Sequence, residues 1–369
     1  MKFLHTADLH IGKPFTGMGE KGDALREAQL ETLERITGLA RSEGVDFLVV
    51  AGDLFDSNEV KRRTVRKVAD LLAGIAPIRV LLLPGTHDLL DEGSVYRSEA
   101  LGQCDNVSIF GVDEVSVRVG EAAIHGRAND TKQGGIHPLA ELSADPDAAY
   151  NVAVVHASVE IESKSSPDDY RVSPDEIASS AMDYVALGHW HKKSEYSSGA
   201  VTAWYSGAPE PTKYDEAGGA GFVLLVEIGP GKPDVKPVVV GKFQWLDSTL
   251  DVSTCPPGGP LEAEVKLMEG DDVILRLRLK GTIPRGEEVD AEALVDEFAD
   301  AFFHLEVDDS RVSFPLDDVD GLFATGTVGD LFVARMKNLI EGSATDDERA
   351  QREKALSLGA GYISGELEV

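Results

Sequence analysis

Two hydrophobic periods alternate along the first part of this 369-residue chain. Val45 to Ala51 and Ile78 to Leu83 are near-continuous apolar runs, the pattern of parallel strands buried on both faces. Phe3 to Thr6 opens the chain in the same way. Between these runs Leu25, Leu30, Leu33, Ile36 and Leu39 recur among charged residues, predicting a helix from Gly22 to Glu43 that stops at Gly44. A second helix is predicted from Glu59 to Gly74. Three strand–helix units in succession predict a doubly wound α/β sheet, in which ligands bind outside the carboxyl ends of the strands.

Asn106 to Arg127 reads as short alternating strands, an antiparallel hairpin region, and Lys132 to Tyr150 as a polar connection. Val152 to Val155 is a further buried strand and Ser163 to Asp169 a loop. Ser173 caps a helix with Pro174 at its first position. Tyr184 to Leu187, Val201 to Tyr205 and Phe222 to Ile228 are expected to complete a second sheet. The expectation for residues 1–245 is therefore α/β: two facing mixed β-sheets flanked by helices. Pro256 to Pro260 marks a linker. Beyond it, Val273 to Leu279 alternates as a half-buried antiparallel strand, Ala291 to Phe303 reads as a helix and Leu305 to Phe314 as a strand. Residues 262–325 thus form a small α+β domain. Residues 326–369 form a helical tail with an apolar stripe of Leu331, Val333, Met336, Leu339 and Ile340, a segment able to bind a partner.

Composition narrows the setting. The chain is 42% hydrophobic and 27% charged, as a soluble globular protein is. No apolar run nears the roughly 20 residues of a membrane span, so no membrane association is expected. A strand starting at the first residues leaves no room for a secretion signal. Cys104 and Cys255 lack C-x-x-C spacing and read as small buried hydrophobes in a reducing cytoplasm. The formal net charge is −30; from Asp247 onward 28 acidic residues face 11 basic ones. Such a surface does not attract polyanions everywhere. Any nucleic-acid binding must rest on metal ions and local basic patches. Candidates are Lys192, Lys193 and the cluster Lys61, Arg62, Arg63, Arg66 and Lys67, which otherwise is a solvated helix face.

The chemistry lies at strand ends. Asp8 and His10 are two residues apart, so both can point to one spot past the first strand. Asp53, His87, His156, His189 and His191 occupy equivalent places downstream, and five of the nine histidines are in this set. Carboxylate oxygen with imidazole nitrogen suits a borderline divalent metal. The number of donors fits two ions, with Asp53 as the central bridge after Gly52. Two ions about 3.5–4 Å apart activate water and clamp the attacking and leaving oxygens of a displacement at phosphorus.

Asp8-Leu9-His10, Gly52-Asp53, Gly85-Thr86-His87-Asp88, His156 and Gly188-His189-Trp190-His191 resemble the five motifs of the calcineurin-like metallophosphoesterases. Gly52-Asp53-Leu54-Phe55-Asp56 and Tyr205-Ser206-Gly207-Ala208-Pro209-Glu210, followed by Gly221-Phe222-Val223-Leu224, resemble the SbcD/YhaO-type DNA-repair exonucleases. The likeness covers residues 1–245 and, more loosely, a capping domain at 262–315. It implies that Asp8, His10 and His191 hold one metal, that His156 and His189 hold the other, and that Asp53 bridges. It implies Mn as the metal, with Fe, Zn or Mg as alternatives. His87 becomes the catalytic histidine, oriented by Asp88. The family carries Asn where this chain has Thr86, a doubtful metal ligand. The implied function is a metal-dependent exonuclease and single-strand endonuclease of double-strand-break repair. It would be cytoplasmic and nucleoid-associated, homodimeric, and partnered by DNA and an SbcC-like coiled-coil ATPase. The alternatives are a phosphatase or cyclic-nucleotide phosphodiesterase, or a weakly active scaffold for such an ATPase. His5 and His304 read as structural, His125 as ambiguous, and Trp190 as packing or base stacking.

Overall fold

The computed structural model describes residues 1–113, 116–132, 134, 136–160, 170–214, 216, 220–283, 289–313, 319 and 321–364. The expected loop at Ser163 to Asp169 and the strand end at Phe314 lie outside these residues. The chain divides into two compact units, Met1–Gln244 and Trp245–Val369.

The first unit begins β1 (Lys2–Thr6), α1 (Lys21–Glu43), β2 (Phe47–Ala51), α2 (Arg62–Ala73), β3 (Arg79–Leu83), α3 (Glu99–Gly102) and β4 (Val107–Ile109). It continues with β5 (Ser116–Val119), β6 (Ala122–Gly126), β7 (Tyr150–His156), β8 (Ser158–Val159), β9 (Arg171–Val172) and α4 (Pro174–Ser179). β10 (Tyr184–Gly188), β11 (Ser194–Glu195), β12 (Thr202–Tyr205), β13 (Phe222–Glu227) and β14 (Asp234–Val239) complete it. One sheet has the order β14-β13-β1-β2-β3-β4 and the other β11-β12-β10-β7-β6-β5.

The period-two pattern explains the layering. Phe3, Phe47, Val49 and Leu81 of the first sheet meet Val152, Val154, Tyr184 and Ala186 of the second in one buried layer. Their sequence neighbours Leu4, Leu48, Val50, Val80 and Leu82 face outward and pack with Leu33 and Ile36 of α1 and Val65 and Val68 of α2. Ala153, Val155, Val185 and Leu187 face outward from the second sheet against Ile177 of α4. Two mixed sheets are thus sandwiched between helical layers. Ser173 closes a capping box with Glu176 at the start of α4, as its Ser-Pro-Asp-Glu sequence dictates.

Two strand placements correct the sequence reading. Phe222–Glu227 belongs to the first sheet, not the second, pairing antiparallel with β1 through Phe3–Val226 and Leu4–Leu225. An apolar run buried on both faces fits either sheet, so its pattern does not say which. β4 pairs parallel with β3, leaving only β5 and β6 as the antiparallel hairpin.

The second unit comprises β15 (Gln244–Asp251), α5 (Pro260–Lys266), β16 (Gly270–Thr282), α6 (Ala291–Glu297), β17 (Phe302–Ser313), α7 (Val328–Glu341) and α8 (Asp346–Ser364). The strand expected at Val273–Leu279 is longer, and it runs parallel to β17 rather than antiparallel. α6 forms the crossover that a parallel pair requires. The Pro256–Pro260 stretch lies inside this unit, leading from β15 into α5. Val333 and Ile340 of the tail stripe pack with Leu356 and Ala360 of α8, whereas Val328 and Leu331 are exposed. No described helix is long and apolar enough to cross a membrane.

Candidate metal centre

The parallel strands β1, β2 and β3 of one sheet and β7 and β10 of the other end in the candidate donors. Asp8, His10, Asp53 and His156 are buried with at most 1% exposure. The loops after β1 and β2 are zipped together by Asp8 N–H to Gly52 O, His10 N–H to Asp53 O and Ile11 N–H to Leu54 O, each 3.0 Å. Left-handed backbone is the cost of this packing: φ is +55° at Asp8, +47° at His10, +51° at Asp53 and +104° at His189. Non-glycine residues in that region concentrate at functional sites. Gly52 (φ +97°) is required for a second reason, since a Cβ there would stand 2.0 Å from His156 Nδ1. A Cβ on Gly85 would stand 2.2 Å from Asp53 Oδ1.

The donor atoms converge. Ligand atoms of Asp8, His10 and His191 all lie within 4.8 Å of one another, as do those of Asp8, Asp53 and His156, and those of His10, Asp53 and His87. His10 Nε2 faces His191 Nε2 at 3.1 Å. Asp53 Oδ2 is 3.2 Å from His156 Nε2 and 3.8 Å from His10 Nε2. His189 is outside these three clusters; its ring lies edge-on to His156, centroids 5.3 Å apart, and its backbone N–H donates to the Asp8 carboxylate. A buried set of imidazole nitrogens and carboxylate oxygens fits divalent metal ions of borderline character.

The electrostatics follow from this crowding. Burial alone would raise the Asp53 carboxyl, but His156, His10 and His87 hold it far below the ordinary carboxylate range. Burial opposes charge on His156 too, yet Asp53 and Asp8 push it up to about 9. Burial lowers His87, only partly countered by Asp53.

Asp88 has a different part from the expected one. Its buried carboxylate accepts from Phe55 N–H (2.9 Å), Gly85 N–H (2.8 Å) and the Tyr96 hydroxyl (2.7 Å). It ties the loop carrying Asp53 to the loop carrying His87. Burial, then the charge of Asp53, raise it to about 6. The His87 ring is instead oriented by the Asp56 carbonyl, 3.2 Å from its Nδ1.

Several supporting residues escaped the sequence reading. Gln29 of α1 donates to the Leu9 and His10 carbonyls. Asn129 donates to the His156 carbonyl. Asp56 accepts from His10 Nδ1 at 3.2 Å, and Glu216 from His191 Nδ1 at 2.6 Å. Burial raises Glu216, but His191 and the Thr212 amide bring it down to about 2. A polar residue at an apolar-stripe position was the available signal for Gln29. Asp56 lay in the Gly52–Asp56 stretch without a role being read for it, and nothing local marked Asn129 or Glu216. Thr86, His87, His156 and His189 line a cavity of about 210 Å³ together with Lys132 and Tyr170.

The remaining candidates divide. Lys193 lies over the Phe222 ring at 4.1 Å. Lys192 and all five cations around the start of α2 are free of side-chain ion pairs among the described residues. Trp190 is committed to packing: it stacks on Tyr205 at 5.0 Å and its indole N–H donates to Ser158. Glu210 of the Ser206–Glu210 stretch is buried on Thr32 and the Lys242 and Phe243 amides. His5 and His125 bond Tyr184 and Asn151 inside the fold.

The family model described as calcineurin-like phosphoesterase matches residues 1–193. The chain belongs to this family. The phosphoesterase is 26% identical over 335 residues to the metallophosphoesterase YhaO of Bacillus subtilis, covering 86% of this chain and 80% of that one. It is 26% identical to the DNA double-strand break repair protein Mre11 of Methanopyrus kandleri, over 80% of this chain and 68% of that one. It is 23% identical to the SbcD component of the nuclease SbcCD of Bacillus subtilis, over 68% of this chain and 76% of that one. The solved structure of TT1561 from Thermus thermophilus aligns with TM-score 0.41 and 13% identity, over 64% of this chain and 98% of that one.

Proposed function

We propose that this phosphoesterase is a metal-dependent DNA phosphodiesterase, an exonuclease and single-strand endonuclease of double-strand-break repair. The observation that carries the reading is the convergence of Asp8, His10, Asp53, His87, His156 and His191 where the strands of two sheets end. Similarity to Mre11 and SbcD over most of the chain supports DNA as the substrate. Asp8, His10 and His191 would hold one ion and His156 and His189 the other, with Asp53 serving both. Mn is the proposed metal; bound there, two divalent ions supply an activated water and neutralise charge developing on the phosphoryl oxygens.

The chain's own groups do the rest. His87 donates from Nδ1 to the Asp56 carbonyl, which leaves the Nε2 lone pair to take up a proton from water; the ring, then protonated on both nitrogens, hands that proton to the leaving oxygen. Lys132, on the same cavity, offsets phosphate charge. Arg62, Arg63 and Lys192 contact the backbone of the strand further out, and salt therefore weakens binding. Residues 262–325 act as a capping domain. The tail at 326–369 presents Val328 and Leu331 to the coiled coil of an SbcC-like ATPase. The assembly is a cytoplasmic, nucleoid-associated homodimer.

The test is hydrolysis of single-stranded DNA, hairpin DNA and a chromogenic phosphodiester by the metal-free and the Mn-loaded protein. Mn-dependent cleavage of the two DNAs is expected. Cleavage of phosphomonoesters or cyclic nucleotides in preference to DNA would overturn the reading.

A further inference from the structure

His10 and His191 reach the first metal position from different sheets, past the ends of β1 and β10. Their Nε2 atoms stand 3.1 Å apart, beside Asp8. Each ring is held by a carboxylate on its other nitrogen: Asp56 Oδ1 lies 3.2 Å from His10 Nδ1, and Glu216 Oε1 2.6 Å from His191 Nδ1. An ionised carboxylate only accepts hydrogen bonds. The proton of each neutral ring therefore sits on Nδ1, and both Nε2 lone pairs are turned to one point.

The two carboxylates are not equally fixed. The Asp56 side chain is 20% exposed and shares itself with Lys13 at 3.8 Å. The Glu216 side chain is 6% exposed. Its Oε2 accepts from Thr212 N–H (2.6 Å), Lys213 N–H (3.0 Å) and the Thr212 hydroxyl (3.1 Å). Oε1 faces His191 at 2.6 Å, its shortest contact, with the Thr212 hydroxyl at 3.2 Å and Lys213 Nζ at 3.9 Å behind it. Glu216 lies outside every motif that carries a ligand, 25 residues beyond the histidine it holds.

We propose that Glu216 is the positioning residue of the first metal site: it fixes the tautomer and direction of His191, and so sets the affinity of that site for a divalent cation. Asp56 does the same for His10, more weakly. The inference rests on Asp8, His10 and His191 being metal ligands, and is independent of what the substrate is.

Glu216→Ala and Glu216→Gln are compared with the wild-type full chain, starting from metal-free protein. Mn titration by calorimetry is expected to show one site weakened about 10–100-fold in Glu216→Ala, the range typical when a partner of a metal-bound histidine is removed, with the other site unchanged. Glu216→Gln restores part of the loss, because its amide oxygen still accepts from Nδ1. Asp56→Asn costs less than Glu216→Ala. A merely structural role would not alter the second readout, the His191 tautomer in ¹⁵N-histidine-labelled metal-free protein. Its signal, assigned with His191→Gln, is expected to be Nδ1–H in the wild type and mixed in Glu216→Ala. Wild-type Mn affinity at both sites, or an unchanged tautomer, overturns the proposal. A wild-type protein that binds no Mn overturns the metal reading itself, while the tautomer comparison still decides for or against Glu216.

Discussion

His5 offers a test of how the sandwich is held together. It sits in β1, fully buried in the layer between the sheets, with Nδ1 3.0 Å from the Tyr184 hydroxyl. Burial pushes its pKa from 6.5 down to about 3, against a small opposing effect of the Leu187 backbone. Below pH 6.5 the unfolded chain takes up a proton that the folded chain refuses until about pH 3. The stability contributed by neutral His5 is therefore complete above the unfolded pKa and is lost as pH falls toward the folded one. At about 1.4 kcal/mol per tenfold, the full loss is about 5 kcal/mol, and about 2 kcal/mol of it falls between pH 7 and pH 5. Gln at this position keeps a partner for the Tyr184 hydroxyl but does not titrate. Urea unfolding of chelator-treated wild type and His5→Gln at pH 7, 6 and 5 isolates the effect, since the other histidines are common to both proteins. The wild type is expected to lose about 2 kcal/mol more than the variant across this range. Parallel losses would refute the assignment of His5 as a neutral core histidine.

His87→Ala is expected to leave metal content nearly unchanged and lower DNA hydrolysis by about 10²–10⁴-fold; collapse of metal content would make His87 a ligand, a role its closeness to His10 and Asp53 allows. Asp53→Asn is expected to remove both metals and the metal-dependent rise in melting temperature, checked by elemental analysis and thermal melting. Val328 and Leu331 are 77% and 63% exposed on α7. Their joint replacement by Glu should change stability by no more than about 0.5 kcal/mol and abolish co-purification with the proposed ATPase partner, with the proposed nuclease activity retained.

The legible and illegible parts of this molecule differ in range. Phe47 to Ala51 could be read as a buried strand because every residue faces one apolar layer or the other. The candidate histidines could be picked out because each lies at the end of such a strand or within four residues beyond it. Phe222–Glu227 has the same doubly apolar pattern, and that is why its sheet could not be told from it. The direction of β16 depended on α6 acting as a crossover, a property of the connection and not of the strand. Asp88 shows the same limit within the site. Its place beside His87 in the chain suggested contact with that ring, but its bonds go to Phe55, Gly85 and Tyr96. Glu216 and Asn129 act on histidines far away in the chain, where no local period carries a signal.

Thr86 is where a single residue bears most directly on activity. The resemblance implies an Asn amide oxygen at this position, serving the second metal. Here the Thr86 hydroxyl lies 3.4 Å from His156 Nε2, the same nitrogen that is 3.2 Å from Asp53 Oδ2. The side chain is thus beside the point where His156 and Asp53 meet, but an Asn carbonyl oxygen reaches about one bond further than a hydroxyl on Cβ. The hydroxyl is also held by a β-branched side chain with few rotamers. On the proposed assignment the second site would then rely on Asp53, His156 and His189 alone. Its affinity should be lower than with Asn by roughly 10–100-fold, the scale seen when support around a metal is altered. Thr86→Asn is expected to shift the curve of activity against free Mn to lower concentration by that factor, with the same products. Superimposed curves for the two proteins would show that the hydroxyl already serves the ion or that position 86 does not reach it.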